Sequence, residues 1–239
     1  PHMILGTLIK TYFARRLNVN HDDLYVVSLM PCVAKKMEIK RMQLKGDVDA
    51  VIIPQEFHDM IQLVNINWHS LKLMEFDSIL GESSGAGNIF GASGGVTESV
   101  VRYVHEKLTG RKLLDHLQYS KWRGNESLKK AELSFDIPEV KGQKAQTIHL
   151  KIAVCNGIKA AKQLIETGQH TEFQLIEVMA CKGGCINGGG QPRKNYKKLN
   201  VEYAKLRANS IFSIDEEKNQ KTAGGNTEVQ LLYQDFLGN

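Results

Sequence analysis

The sequence predicts an α/β fold in which parallel sheets pack between helices. Two observations predict it. Short apolar runs of strand length recur at Leu24–Leu29, Asp49–Ile53, Thr147–Cys155 and Phe173–Met179. Each empties into a loop of proline, glycine or cysteine, with stretches of helical spacing between them. This alternation is expected of sheets that gather ligands at the carboxyl ends of their strands.

The elements follow in order. Met3-Ile4-Leu5, Leu8-Ile9, Tyr12-Phe13 and Leu17 fall at helical spacing and predict a helix over about residues 3–17. That helix opens the chain with no methionine at position 1, the pattern of a truncated chain; Pro1-His2 reads either as a cloning remnant ahead of Met3 or as part of the domain. Asn20-His21-Asp22-Asp23 is a turn, and Leu24–Leu29 is nearly all apolar, as a buried parallel strand is. Pro31 stops that strand just before Cys32. After the next strand, Pro54 and Glu56 give a helix start. Trp68, Leu71, Leu73, Met74 and Phe76 read as core. Five glycines between Ser83 and Gly95 lead into a helix from Val96. Residues 107–146 are polar, without a reactive cluster. Asn156-Gly157 turns a strand into a helix over Ile158–Glu166. Tyr196–Phe212 is basic and amphipathic, and Val229–Leu237 is a short terminal helix.

Composition narrows the function classes. A chain of 239 residues, 42% hydrophobic and 24% charged, is ordinary for one large α/β domain or two small ones. No apolar run approaches the roughly 20 residues of a membrane span. The net charge of +5 is dispersed and carries no nucleic-acid signature, so it reads as a docking face for an acidic protein. Nothing at the N-terminus reads as a signal peptide, which predicts a cytoplasmic, reducing setting and disfavours a disulfide.

The chemistry concentrates between Glu177 and Pro192. Cys181 and Cys185 follow a strand and precede Gly188-Gly189-Gly190. Glycines allow close backbone approach and aim amide N–H groups at an anion. Spacing alone leaves three readings open: an iron–sulfur cluster with a ligand from a distant loop, a zinc site lacking its second close pair, or an inert buried pair. Lys35, three residues after Cys32, can donate to an anionic ligand and lower a thiolate's pKa, whereas Lys36 and Lys40 read as a solvated helix face. The loop Ser83–Gly95 at a helix start is an anion site by geometry, without the ending of a P-loop. Cys155 lacks a cysteine neighbour and reads as a buried thiol; His105, His116, His149 and His170 are scattered.

Three blocks together carry a resemblance. Leu29-Met30-Pro31-Cys32-Val33-Ala34-Lys35-Lys36-Met37-Glu38, the loop Gly81–Val96 and Glu177-Val178-Met179-Ala180-Cys181-Lys182-Gly183-Gly184-Cys185 with Gly188–Pro192 resemble, in order, signatures of the iron-only (di-iron) hydrogenases. The resemblance implies a two-lobed catalytic fold, N-terminally incomplete, with its cluster between the lobes. It implies a catalytic large-subunit region over 1–195 and a small-subunit-like helical segment over 196–239. The family's first cysteine signature would lie upstream of Pro1, leaving residues 1–239 short of the fourth cube ligand and of a proton-relay cysteine.

The implied activity is reversible reduction of protons to dihydrogen at a 4Fe-4S cube joined to a di-iron unit bearing carbonyl, cyanide and a dithiolate bridge. By motif position Cys32 and Cys181 would bind the cube. Cys185 would bind it and bridge to the di-iron unit. Lys35 would hydrogen-bond a cyanide, and Met30, Phe90, Gly91 and Met179 would shape the pocket. Ferredoxin or another electron carrier, hydrogenase maturation proteins and other hydrogenase subunits are the implied partners. Two further classes resemble this chain. Iron–sulfur cluster assembly factors share the last signature, and a sensory hydrogenase would suit Ser93 and Thr97, where the family more often has threonine and methionine. Gln220–Asn226 departs from the basic, histidine-bearing stretch expected there.

Overall fold

The computed structural model describes the chain except residues 78, 79, 81, 82, 114, 123, 124, 140–143, 193–200 and 239, and the side chains of 121, 122, 125, 126 and 201. It divides into two compact units, one of Pro1–Glu82, Gly188–Asn200 and Thr227–Asn239, the other of Ser83–Asn187 and Val201–Asn226.

The first unit begins with α1 (His2–Leu8), which continues through a π-helical turn, Ile9–Phe13, into α2 (Ala14–Leu17). One predicted helix is thus present with a widened middle turn. Gly6 explains its close docking, because a Cβ there would lie 2.5 Å from Val48 Cγ2 and 2.7 Å from the Asp47 carbonyl oxygen. Lys10 is buried and meets Asp49 at 2.9 Å. Two short strands, β1 (Val27–Leu29) and β2 (Ala50–Ile52), pair in parallel. The turn α3 (Lys35–Glu38) lies between them in sequence. Met3, Val48 and Val51 form the core, with Val26, Met30, Ile39 and Leu44 packed against it. Parallel pairing agrees with expectation, but β1 is shorter than predicted and leaves Val27 and Leu29 about half exposed. Helix α4 (Pro54–Leu63) starts where Pro54 and Glu56 place it, with Glu56 accepting from the Ile53 amide at 3.0 Å. The core assignment beyond it needs correction. Trp68, Leu71, Leu73, Met74 and Phe76 are all exposed, Leu73 and Phe76 completely. Among these residues only a single 3-10 turn, Trp68–Ser70, interrupts irregular chain. Apolar character signals a need for cover, and without a strand or helix there to turn one face inward the side chains stay outward.

The second unit opens with the short α5 (Gly85–Ile89) and then α6 (Gly95–Thr109), which Gly110 ends in the left-handed region at φ 69°. The polar stretch read as featureless contains β3 (Ser120–Trp122) and the long β4 (Asn125–Ile137). They join β5 (Gln146–Asn156), after which come α7 (Ile158–Glu166), bounded as predicted, and β6 (Leu175–Met179). The sheet order is β3-β4-β5-β6. Only β5–β6 is parallel; β3–β4 and β4–β5 are antiparallel, so the expectation of purely parallel sheets becomes a mixed sheet. The reason lies in β5. Ala153 and Cys155 pack with Leu128, Ala160, Ala161 and Leu164 on one face, while Ile152 and Val154 pack with Val101 and Ala131 on the other. A strand covered on both faces reads as a continuous apolar run. Its neighbour β4, with its many lysines and acids, does not.

Helix α8 (Val201–Glu217) completes this unit through a buried charge cluster. Asp215 accepts two hydrogen bonds from the Arg102 guanidinium, at 2.9 and 2.8 Å, and Glu98 accepts one at 2.5 Å. All three side chains are at most 3% exposed. His116 reaches the same Glu98 oxygen at 2.6 Å. Burial alone would lower the Arg102 pKa, yet the bonds and charges of Asp215 and Glu98 raise it, so the guanidinium stays charged. The chain then returns to the first unit as α9 (Thr227–Leu232), where Arg16 meets Glu228 at 2.7 Å and the Tyr12 and Phe236 rings lie 5.5 Å apart.

Removing one member of a buried ion cluster leaves its partners charged and unpaired, at a cost of about 3–5 kcal/mol. Arg102→Leu is therefore expected to speed hydrogen exchange at the amides of α6 and α8 in the full-length protein. Exchange as slow as in the parent would contradict the assignment.

Candidate metal centre

In the second unit, β6 ends at Met179 and the chain turns through Cys181–Asn187. Gly183 and Gly184 take φ values of 86° and 102°, a region side chains rarely adopt. Gly184 is also the point of closest approach. A Cβ there would lie 2.4 Å from the Gly91 carbonyl oxygen and 2.7 Å from the Ser93 nitrogen. The cysteine loop therefore lies directly on the glycine-rich loop. Two backbone hydrogen bonds fasten them, Ser93 N–H to Gly183 O at 3.1 Å and Ile186 N–H to Gly91 O at 3.0 Å. Asn156 Oδ1, at the end of β5, accepts from the Gly183 amide at 3.1 Å, and the Asn187 side chain donates to Lys182 O at 3.1 Å. Cys181 is half-buried and Cys185 is exposed. The Ser93 hydroxyl is buried without a hydrogen-bond partner.

Glu177 ties the strand before the cysteines to the helix after the glycines. Its buried carboxylate accepts from Gly94 N at 2.7 Å, Thr97 N at 3.0 Å and Thr97 Oγ1 at 2.9 Å. An anion at the amino end of α6 satisfies donors with no partner inside the helix. Gly94, at φ 97°, makes the turn, and its carbonyl accepts from the Tyr119 hydroxyl at 2.9 Å. Burial raises the Tyr119 pKa strongly, helped by the charges of Glu98 and Glu177, which keeps it a donor. Thr97 thus serves Glu177.

In the first unit, Met30 N–H continues the strand pairing to Ile52 O at 2.8 Å, and Cys32 follows Pro31. Gly190, from the last signature, donates to Pro31 O at 3.0 Å. A Cβ on Gly190 would sit 2.7 Å from Ile53 Cβ, so only glycine fits. Cys32, Met30 and Lys35 are each half-buried. The Lys35 ammonium pairs with Glu38 one turn on, and Lys36 pairs with Glu56, so Lys36 is not simply solvated. Burial would raise the Glu38 pKa, but the Lys35 hydrogen bond and charge hold it below the usual range.

The sequence-predicted residues therefore divide. Met30, Cys32 and Lys35 belong to the first unit; Phe90, Gly91, Met179, Cys181 and Cys185 belong to the second. Among the described residues of either unit, no three His, Cys, Asp or Glu side chains form a metal-ligating group. None of the four cysteines is in a disulfide. Cys155 is fully buried in the core and burial pushes its thiol pKa up, which suits the inert role expected of it. Sequence reasoning missed the roles of Glu177, Asn156 and Gly190. An acidic residue inside an apolar strand was the available signal for Glu177, because a buried carboxylate requires donors.

Residues 1–189 match the family described as iron only hydrogenase large subunit, C-terminal domain, and the chain belongs to that family. The chain is 36% identical over 245 residues to iron hydrogenase 1 of Clostridium pasteurianum, covering all of this chain and 41% of that protein. It is 26% identical over 254 residues to a probable cytosolic Fe-S cluster assembly factor of Drosophila persimilis, covering 99% of the chain and 49% of the relative. An apo FeFe-hydrogenase of Chlamydomonas reinhardtii superposes with a TM-score of 0.81 at 29% identity, over 99% of this chain and 64% of that one. The chain thus spans about two fifths of the hydrogenase relative's length.

Gly184→Ala adds a methyl that neither the φ of 102° nor the Gly91 carbonyl tolerates, so it should displace the cysteine loop. Glu177→Gln, which leaves buried donors poorly matched, should cost about 1–3 kcal/mol. In the full-length protein both are expected to lower iron content while Gly87→Ala, at a position with open space, leaves it unchanged. Equal iron in all three would contradict the role given to the two loops.

Proposed function

We propose that the chain is the cluster-binding part of an iron-only hydrogenase that interconverts protons and dihydrogen. The observation that supports this best is the clamp of the Cys181–Cys185 loop on Phe90–Ser93, in which strained glycines and a buried Glu177 fix two thiols against an amide-rich turn. A donor set of cysteine thiols suits an iron–sulfur cluster, and among the described residues no group of three His, Cys, Asp or Glu side chains is arranged to hold a single metal ion. The orphaned Ser93 hydroxyl beside the clamp is consistent with a polar non-protein group there.

Cys32, Cys181 and Cys185 would hold the 4Fe-4S cube, and Cys185 would also hold the di-iron unit. When bound, that cluster supplies the electron and proton chemistry. The chain's own work is position and polarity. Lys35 would donate to a cyanide, with Glu38 orienting its ammonium in the absence of that ligand. Met30, Phe90, Gly91 and Met179 would exclude water around the di-iron unit, which strengthens each hydrogen bond made there. Ferredoxin or another carrier would deliver electrons, and maturation proteins would load the cluster. On this reading residues 1–195 are the catalytic region and 196–239 the small-subunit-like segment. Among the described residues no helix is long and apolar enough to cross a membrane. The relatives named as assembly factors favour a second reading, iron–sulfur binding without hydrogen chemistry.

Anaerobic co-expression of the full-length protein with maturation proteins separates the two. Hydrogen turnover and infrared bands of bound carbonyl and cyanide are expected; Cys185→Ser should abolish both, while Cys155→Ser keeps both. Bound iron and sulfide without those bands would favour the assembly factor. Equal damage from the two substitutions would overturn the ligand assignment.

A further inference from the structure

Helix α8 presents one face to the elements that carry Cys181 and Cys185. Arg207, Ile211 and Asp215 follow at helical spacing, each one turn after the last, so their side chains share that face. Asp215 is held by Arg102 and fills the space beside Gly85, where a Cβ would lie 1.8 Å from Asp215 Oδ1. One turn earlier, Ile211 Cδ1 would lie 3.5 Å from a Cβ on Gly91, in the turn on which the cysteine loop rests. One turn earlier again, the half-buried Arg207 donates through Nη1 to the Ile186 carbonyl at 3.1 Å, within the turn Cys185–Asn187. The Tyr203 ring lies on the same guanidinium, its centroid 5.9 Å from Cζ. All of these groups belong to the second unit. A carbonyl is a neutral acceptor, so this bond fixes the guanidinium without cancelling its charge, and arginine keeps that charge at any ordinary pH. A permanent cation is thereby bonded to the residue that follows Cys185.

We propose that Arg207 is a positioning residue that ties the Cys185 turn to α8 and raises the reduction potential of the iron–sulfur cluster bound there. This rests on reading the cysteines as cluster ligands and not on hydrogen chemistry, so it applies to either function considered above. A cube held by thiolates carries net negative charge, and an added electron makes it more negative. A fixed positive charge nearby therefore stabilises the reduced form more than the oxidised one. The hydrogen bond acts on position and the charge acts on potential, and different substitutions reach each of them.

The test uses the full-length protein reconstituted anaerobically with iron and sulfide alone, reduced stepwise with dithionite and followed by electron paramagnetic resonance. The signal that Cys185→Ser removes identifies the cluster concerned. Arg207→Met has neither charge nor donor. It should lower the equilibrium constant for one-electron reduction of that cluster about 10-fold, the scale of one charge near a partly buried group. That is a downward shift of about 59 mV, and cluster occupancy should fall with it. Arg207→Lys keeps the charge and should return the potential towards that of the parent. Arg207→Gln keeps a donor without the charge; it should show the shift at parental occupancy, and it decides the matter should the methionine variant lose the cluster. An unshifted potential in the neutral variants, the same shift in Arg207→Lys, or loss of the cluster in all three would overturn the proposal. A parent without a cluster, or with no signal that depends on Cys185, would instead overturn the ligand assignment beneath it.

Discussion

A methyl group on residue 184 would lie 2.4 Å from the carbonyl oxygen of Gly91, and the arrangement of the second unit's thiols depends on that approach being open. Contact at this distance is possible only between bare backbones. It lets Gly183 and Ile186 exchange hydrogen bonds with Ser93 and Gly91, which sets the loop carrying Cys181 and Cys185 on the turn that starts α6. Glu177 holds the same two segments from below by capping α6 with a strand residue. Backbone contact and buried carboxylate thus act on one junction. Neither would hold the loop alone, since a loop of small residues has little apolar area to bury.

The first unit solves a similar problem with less structure. Its sheet has only two short strands, and Cys32 leaves the end of one of them behind a proline. Gly190 supplies the missing neighbour by donating to Pro31 and packing on Ile53. The last cysteine signature therefore serves both units: its cysteines, with Gly183 and Gly184, belong to one and Gly188–Gly190 to the other. This division gives a physical reason for Gly190, which sits where no side chain fits. It also explains why shifting the glycines relative to the cysteines would disturb both parts together.

Local patterns were legible where one element decided its own environment. The helix over Ile158–Glu166 and the strand ending at Cys155 stand where spacing placed them, because alternating faces of β5 are filled by near neighbours such as Ala160 and Leu164. The glycines of the two loops were legible as points of close backbone approach. Long β4 was not, since its outward lysines and acids hide an alternation of Ala131, Leu133, Phe135 and Ile137. The apolar run from Trp68 to Phe76 misled, because hydrophobicity does not state what lies opposite. Pairings across 80 or more residues, such as Glu177 with Thr97 and Arg102 with Asp215, leave no local trace.

The central claim is that three particular cysteines of this chain bind iron and the fourth does not. Diffraction from anaerobically grown crystals of the matured full-length protein, collected on both sides of the iron absorption edge, tests it most directly. The account predicts iron anomalous density within bonding distance of the sulfurs of Cys32, Cys181 and Cys185, with none at Cys155. Iron at Cys155, or a peak at the zinc edge in place of iron at Cys181 and Cys185, would contradict it.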